Sequence, residues 1–285
     1  MVTNMTKAIQ QIMLGTVTKN EKQAAESLKR IKAAGYDGIE LNGFMIKQTS
    51  FLVRMLTKAA GMPVGKGGDY DWNALVKEAG IAVTSIHEDL GTIKREPETV
   101  IREAEKFGIK YVVITGMYRF DYSDKNAVFG LCQDLNASGK ILKEAGVELL
   151  YHNHNCEFLK VEPGKTAYDL ILSETDASCV NFELDSYWPT EAGVNALELM
   201  RKLDTRMKLY HINDRGTRLS KPAMTPILKS DSMELGCGKG GFLSQLACAH
   251  PENNYLGIDI TDKVLILAKR KIEAAYQAAG RPIDN

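Results

Sequence analysis

Ala145-Gly146-Val147-Glu148-Leu149-Leu150-Tyr151 holds a helix end, a turn and a buried strand in one short phrase. The glycine reads as a left-handed helix cap, and the apolar run after it has the length of a strand covered on both faces, as parallel strands are. The same phrase recurs as Ala34-Gly35 into Gly38-Ile-Glu-Leu41, Ala79-Gly80 into Ala82-Val-Thr-Ser-Ile86, and Phe107-Gly108 into Tyr111-Val-Val-Ile114. Further strands are expected at Ile12–Val17, Val180–Leu184, Met207–Ile212 and Tyr255–Ile260, with helical patterns between them. Asn20 with Gln23 three residues on forms a capping-box pattern, and Ala24, Leu28 and Ile31 then share one helix face.

Eight alternations of strand and helix predict a closed (β/α)8 TIM barrel, in the α/β class, with residues 1–285 as one domain. A doubly wound open sheet uses the same units but seldom needs eight in succession. No linker rich in Pro, Gly or Ser divides the chain, and Gly65–Gly68 reads as a loop near the barrel mouth.

A length of 285 residues suits one such barrel. With 44% hydrophobic and 25% charged residues the chain can bury a large core, which excludes intrinsic disorder. Lys and Arg total 36 against 36 Asp and Glu, so no net field attracts nucleic acid or anionic lipid, and neither is expected as a partner. The sequence has no apolar run long enough to span a membrane, and Met1–Gln11 is polar, so no membrane association and a cytoplasmic location are expected. The 5 cysteines form no C-x-x-C pair and are expected as reduced thiols.

Polar residues gather where a parallel barrel builds its active site, at the C-terminal strand ends. His87 follows the third strand, His152 and His154 the fifth, and His211 the seventh, while Asp185 ends the sixth and Glu40 lies near the end of the second. Histidine is often a hydrogen-bonded core residue, and His87 alone would carry no more than that. Three histidines and an aspartate converging on one axis are costly unless they bind something, and a divalent metal is the economical occupant. Imidazole with carboxylate suits Mn, Zn, Co or Fe better than calcium, with Mg kept among the candidates.

Tyr-His-Asn-His-Asn-Cys-Glu-Phe (151–158), Phe-Glu-Leu-Asp-Ser-Tyr-Trp (182–188) and Tyr-His-Ile-Asn-Asp-Arg-Gly (210–216) together resemble the xylose-isomerase-like barrel family of sugar phosphate isomerases and epimerases. The resemblance covers about residues 8–236. It implies metal ligands at His152, Asp185 and His211, although many members carry glutamate at the place of His152. It also puts Glu157, Trp188 and Arg215 at the sugar. Glu40 and His87 join them as expected substrate contacts.

From Met233 the sequence changes character. Glu234-Leu-Gly-Cys-Gly-Lys-Gly-Gly241, followed later by Asn253-Asn-Tyr-Leu-Gly-Ile-Asp259, resembles the start of tRNA (guanine-N7-)methyltransferases, which bind S-adenosylmethionine through such a segment. Too few residues follow Asp259 for a whole methyltransferase to be expected. The junction, near 233–238, is in register with the barrel, so this segment is expected to supply the last βα unit. The fourth metal ligand then falls to Asp259, with Asp262 behind it and Glu234 less favoured. Gly236, Gly238 and Gly240 are not expected to hold S-adenosylmethionine, because a closed barrel lacks the crevice such a loop serves.

The resemblance thus implies a divalent-metal-dependent isomerase or epimerase of a small sugar or sugar phosphate, moving a proton through an enediolate with His154 and Glu157 as its carriers. An apurinic endonuclease shares the barrel, but zero net charge argues against DNA. A metal- or ligand-binding barrel impaired in catalysis by its altered eighth strand is the reading from another class. Homo-oligomerisation is left open.

Overall fold

The computed structural model describes residues 5–47, 68, 70–115, 117, 119–219, 228–234 and 277–278; for 214–219 and 228–234 the backbone alone is described. The expected eighth strand with Asp259 and Asp262, the glycines at 236, 238 and 240, and most of Gly65–Gly68 lie outside these residues. The chain divides into two compact units, Met1–His152 with Leu159–Phe182, and Asn153–Phe158 with Glu183–Asn285.

In the first unit, β1 (Ala8–Gln10), β2 (Gly38–Asn42), β3 (Ala82–Glu88), β4 (Tyr111–Ile114) and β5 (Glu148–His152) pair in sequence, each parallel to the next. Helices Glu21–Ala33, Trp72–Ala79, Pro97–Phe107 and Lys125–Glu144 connect them. A hairpin of β6 (Lys160–Glu162) and β7 (Lys165–Thr166) turns at a left-handed Gly164, and Thr166 with Asp169 forms a reciprocal capping box on helix Ala167–Glu174. β8 (Val180–Asp185) begins in this unit. The second unit holds the end of β8, helices Tyr187–Glu191 and Ala196–Leu203, β9 (Met207–His211), and an antiparallel ribbon of β10 (Asp214–Leu219) and β11 (Leu228–Glu234). The strand order of the main sheet is β1-β2-β3-β4-β5-β8-β9.

The glycine phrase does what the sequence reading requires of it. Gly35, Gly80, Gly108 and Gly146 all have positive φ, at 87°, 66°, 66° and 76°. Gly80 donates to the Lys77 carbonyl at 3.1 Å, Gly108 to Glu105 at 3.1 Å and Gly146 to Lys143 at 2.9 Å, so each helix closes on its own carbonyls. Asn20 accepts from the Gln23 N–H at 2.9 Å, as its cap position predicts.

The first strand departs from expectation. It is Ala8–Gln10, and residues within Ile12–Val17 instead belong to a short 3-10 helix, Gln11–Leu14, and the turn after it. A brief apolar run has no periodicity with which to separate strand from helix. Here Gln11 leaves the sheet to accept the Asn42 N–H at 2.8 Å on its side-chain oxygen, and Leu14 is buried while Val17 stays 49% exposed.

Candidate metal centre

In the first unit, β2 and β3 bring a polar cluster together through their register, which opposes Glu40 to Ser85 and Asn42 to His87. Neighbouring positions Ile39, Leu41 and Ile86 point the other way and are sealed in apolar packing, as strand alternation demands. Ser85 Oγ donates to Glu40 Oε2 at 2.5 Å, and His87 Nε2 lies 2.7 Å from Glu40 Oε1. The rings of His87 and His152 meet edge to face with centroids 5.4 Å apart. Glu40, Ser85, His87 and His152 are all buried, so water contributes little to solvating their polar atoms.

One residue past His87 the strand points outward again. Glu88 meets Lys47 Nζ at 2.7 Å, and Lys47 also reaches Glu103 Oε2 at 2.9 Å. A Cβ on Gly43 would overlap Glu88 Oε1, so a side chain there would require this carboxylate to shift.

In the second unit Glu183 and Asp185 flank the packed Leu184 along β8. Glu183 Oε1 lies 3.3 Å from His211 Nε2, and Asp185 Oδ2 lies 3.9 Å from His211 Nδ1. Asp185 also accepts from the Tyr187 N–H at 2.9 Å and from Asn213 Nδ2 at 3.0 Å. Tyr210 donates to Ser186 Oγ at 2.9 Å, and burial, reinforced by the Asp185 charge and partly offset by that hydrogen bond, holds its phenol well above the usual range.

Glu157 is fully buried on a 3-10 turn, where one oxygen accepts both the His154 N–H at 2.9 Å and the Cys156 thiol at 3.3 Å. Burial first, and the Glu157 charge second, push the Cys156 thiol up to about 12. The His154 ring lies 5.1 Å from that of Trp188, which in turn stacks edge-on with Tyr187 at 4.9 Å.

Of the residues singled out in sequence, Glu40, His87 and His152 therefore sit in one unit, and His154, Glu157, Asp185, Trp188 and His211 in the other. Arg215 lies on β10, described by its backbone, and Asp259 lies outside the described residues. Among the described residues, the first unit thus brings His87 and His152 together and the second brings Glu183 and His211 together, each a pair of metal-ligating types. Glu183, Ser85, Asn153 and Asn213 escaped the sequence reading. The signal for Glu183 was present: an acid in the interior of the buried strand Val180-Asn-Phe-Glu-Leu-Asp185 needs a partner.

The profile of the xylose isomerase-like TIM barrel family matches residues 28–247, and the chain belongs to that family. A methyltransferase profile matches residues 229–279. That segment is 53% identical over 53 residues to a tRNA (guanine-N(7)-)-methyltransferase from Clostridium perfringens (strain SM101 / Type A), covering 19% of this chain and 24% of that protein. The chain thus spans about a quarter of the length of such relatives.

Solved structures share the fold over nearly the whole chain. A sugar phosphate isomerase/epimerase from Parabacteroides distasonis ATCC 8503 is 21% identical, with TM-score 0.60 over 99% of this chain and 96% of that one. The IOLI protein with a bound zinc atom is 16% identical, with TM-score 0.58 and 96% of each chain covered. A xylose isomerase-like TIM barrel protein from Mycobacterium smegmatis in complex with magnesium is 14% identical, with TM-score 0.55 and 97% of each chain covered.

Proposed function

We propose that this protein is a divalent-metal-dependent isomerase or epimerase of a small sugar or sugar phosphate. The observation that carries it is the chemistry of the donors gathered at the strand ends of each unit: two imidazoles, His87 and His152, in the first, and a carboxylate and an imidazole, Glu183 and His211, in the second. Such a mixed set suits zinc, manganese or cobalt, with magnesium the harder alternative. His87, expected from sequence to touch the sugar, moves in this proposal to the ion. Residues 1–285 are taken as one barrel domain, with Asp259 of the expected eighth strand as a further oxygen ligand.

When bound, the ion would polarise a sugar carbonyl and lower the cost of an enediolate. The protein's own part is to hold the sugar and move protons. Removal of the proton from the carbon beside the carbonyl gives the enediolate, and its return to the neighbouring carbon, or to the opposite face of the same carbon, completes isomerisation or epimerisation. His154 and Glu157 are the proposed carriers. Glu157 is suited to this because two donors fix one of its oxygens while the residue stays fully buried. Trp188 offers a ring face for the sugar, and Glu40 and Arg215 its polar contacts.

Elemental analysis of the purified protein, followed by proton exchange at ketose carbons in deuterated water, tests the proposal. One tightly held divalent ion and solvent deuterium in a recovered pentulose or hexulose are expected. Metal binding without exchange in any sugar would point instead to a binding barrel impaired in catalysis. Absence of both would overturn the proposal.

A further inference from the structure

His211 meets two carboxylates through different nitrogens, and the two acids are held in unlike ways. Asp185 is fastened on every side. Its Oδ1 accepts the Tyr187 N–H at 2.9 Å and its Oδ2 accepts from Asn213 at 3.0 Å. Its backbone N–H donates to Asn153 Oδ1 at 3.1 Å, and its carbonyl accepts from Asn153 Nδ2 at 3.0 Å, so Asn153 completes the strand end as a neighbouring backbone would. Glu183 is deeper, with a side chain only 1% exposed, and its Oε1 approaches His211 Nε2. That approach, at 3.3 Å, is closer than the 3.9 Å between Asp185 Oδ2 and His211 Nδ1.

Resting on the metal-dependent function proposed above, we propose that Glu183 Oε1 and His211 Nε2 are the ligand atoms of this unit, and that Asp185 is a positioning residue acting on His211 Nδ1. The sequence resemblance gives the ligand place to Asp185, two residues later on the same face of β8. The longer side chain of Glu183 lets an acid one pleat deeper reach the imidazole that Asp185 flanks from above. A metal-binding histidine commonly has its second nitrogen oriented by a carboxylate, which fixes ring and tautomer. Asp185 is placed for that work: an anionic oxygen 3.9 Å from Nδ1 favours the tautomer with its proton there, leaving the Nε2 lone pair to the ion. That separation exceeds a direct hydrogen bond, so the effect acts through charge or a bridging water. Asn213 and Tyr187 keep the carboxylate in place.

Zinc titration of metal-free wild-type, Glu183→Gln, Glu183→Asp and Asp185→Asn proteins, against a competing chelator, separates the two roles. Glu183→Gln is expected to abolish zinc binding and Glu183→Asp to restore part of it, whereas Asp185→Asn binds about 10–100-fold more weakly. Nitrogen-15 shifts of His211 in the metal-free proteins supply the second readout. Asp185→Asn is expected to move the proton off Nδ1, and Glu183→Gln to leave it there. Unaltered zinc affinity in Glu183→Gln, complete loss in Asp185→Asn, or an unchanged His211 tautomer in Asp185→Asn overturns this division of labour. A wild-type protein that binds no divalent ion instead removes the proposed function, and this inference with it.

Discussion

His87 Nε2 lies 2.7 Å from Glu40 Oε1, and the opposite oxygen of that carboxylate is taken by the Ser85 hydroxyl at 2.5 Å. An ordered chain of buried polar groups thus stands behind a histidine that faces a second imidazole. If His87 serves the ion, Glu40 sets its orientation from behind. Glu40→Ala is then expected to weaken metal binding by about 10–100-fold, with Ser85→Ala milder. Chelator competition measures this, and unchanged affinity would return Glu40 to the substrate side of the site.

A Cβ on Gly43 would overlap the Glu88 carboxylate, which Lys47 anchors at 2.7 Å and which would have to shift to admit it. Gly43→Ala should destabilise the fold by about 1–3 kcal/mol, the usual cost of overpacking. Adding Glu88→Ala should recover part of that loss. Urea denaturation of the single and double variants decides it, and additive losses would mean that the two residues do not touch.

Burial raises the Glu88 pKa, with the Lys47 charge pulling it partly back. The folded protein therefore holds this proton more tightly than the unfolded chain does. The contribution to stability is complete below the unfolded carboxylate pKa and is lost as pH rises through the folded value. Lys47 behaves in the same direction at alkaline pH: burial would lower its pKa, but the charges and hydrogen bonds of Glu88 and Glu103 outweigh burial and raise it. Thermal melts from about pH 4 upward should show a steeper early decline in wild type than in Glu88→Gln. Parallel profiles would contradict the raised value.

Gly80 isolates the energy of a left-handed backbone. Its φ is 66° and nothing lies within 4 Å of where a Cβ would stand, so Gly80→Ala introduces no clash. The variant should lose about 1–2 kcal/mol by chemical denaturation, with Gly80→Asn losing less. A loss in Asn as large as in Ala would indicate a contact rather than a conformational cost.

Burial first, and a nearby glutamate second, push the Cys132 and Cys156 thiols up to about 12. Thiolate is the reactive form, so both should resist iodoacetamide at about pH 8 in the native protein and label rapidly in urea. Peptide mass spectrometry resolves the two sites, and fast native labelling at either would show an exposed thiolate there.

Much of the framework was legible because its signals are local. A glycine after a helix reports a backbone conformation that few other residues tolerate, and the four glycines read this way all adopt it. Strands β2 to β5 follow from those stops. β1 could not be placed in the same way, since Ile12-Met-Leu-Gly lacks a preceding cap and Gln11 leaves the sheet for a partner 31 residues away. The hairpin at Lys160–Thr166 carries its own Pro163-Gly164 turn signal, but its two strands are too short to show a period. At the candidate site, motif spacing identified His152, Asp185 and His211 as polar groups at strand ends. Glu183 required a different question: which side of β8 each residue faces, and what an acid would do there.

The self-contained helix ends have a historical consequence. A segment that carries its own stop, with its last amides bonded to its own carbonyls, does not depend on its neighbours to know where to finish. Such a chain resembles a sentence whose clauses are already punctuated, so recombination can exchange a clause without rewriting the rest. A protein built this way is open to exchange in pieces, and a 53-residue stretch of this chain is 53% identical to part of a tRNA (guanine-N(7)-)-methyltransferase.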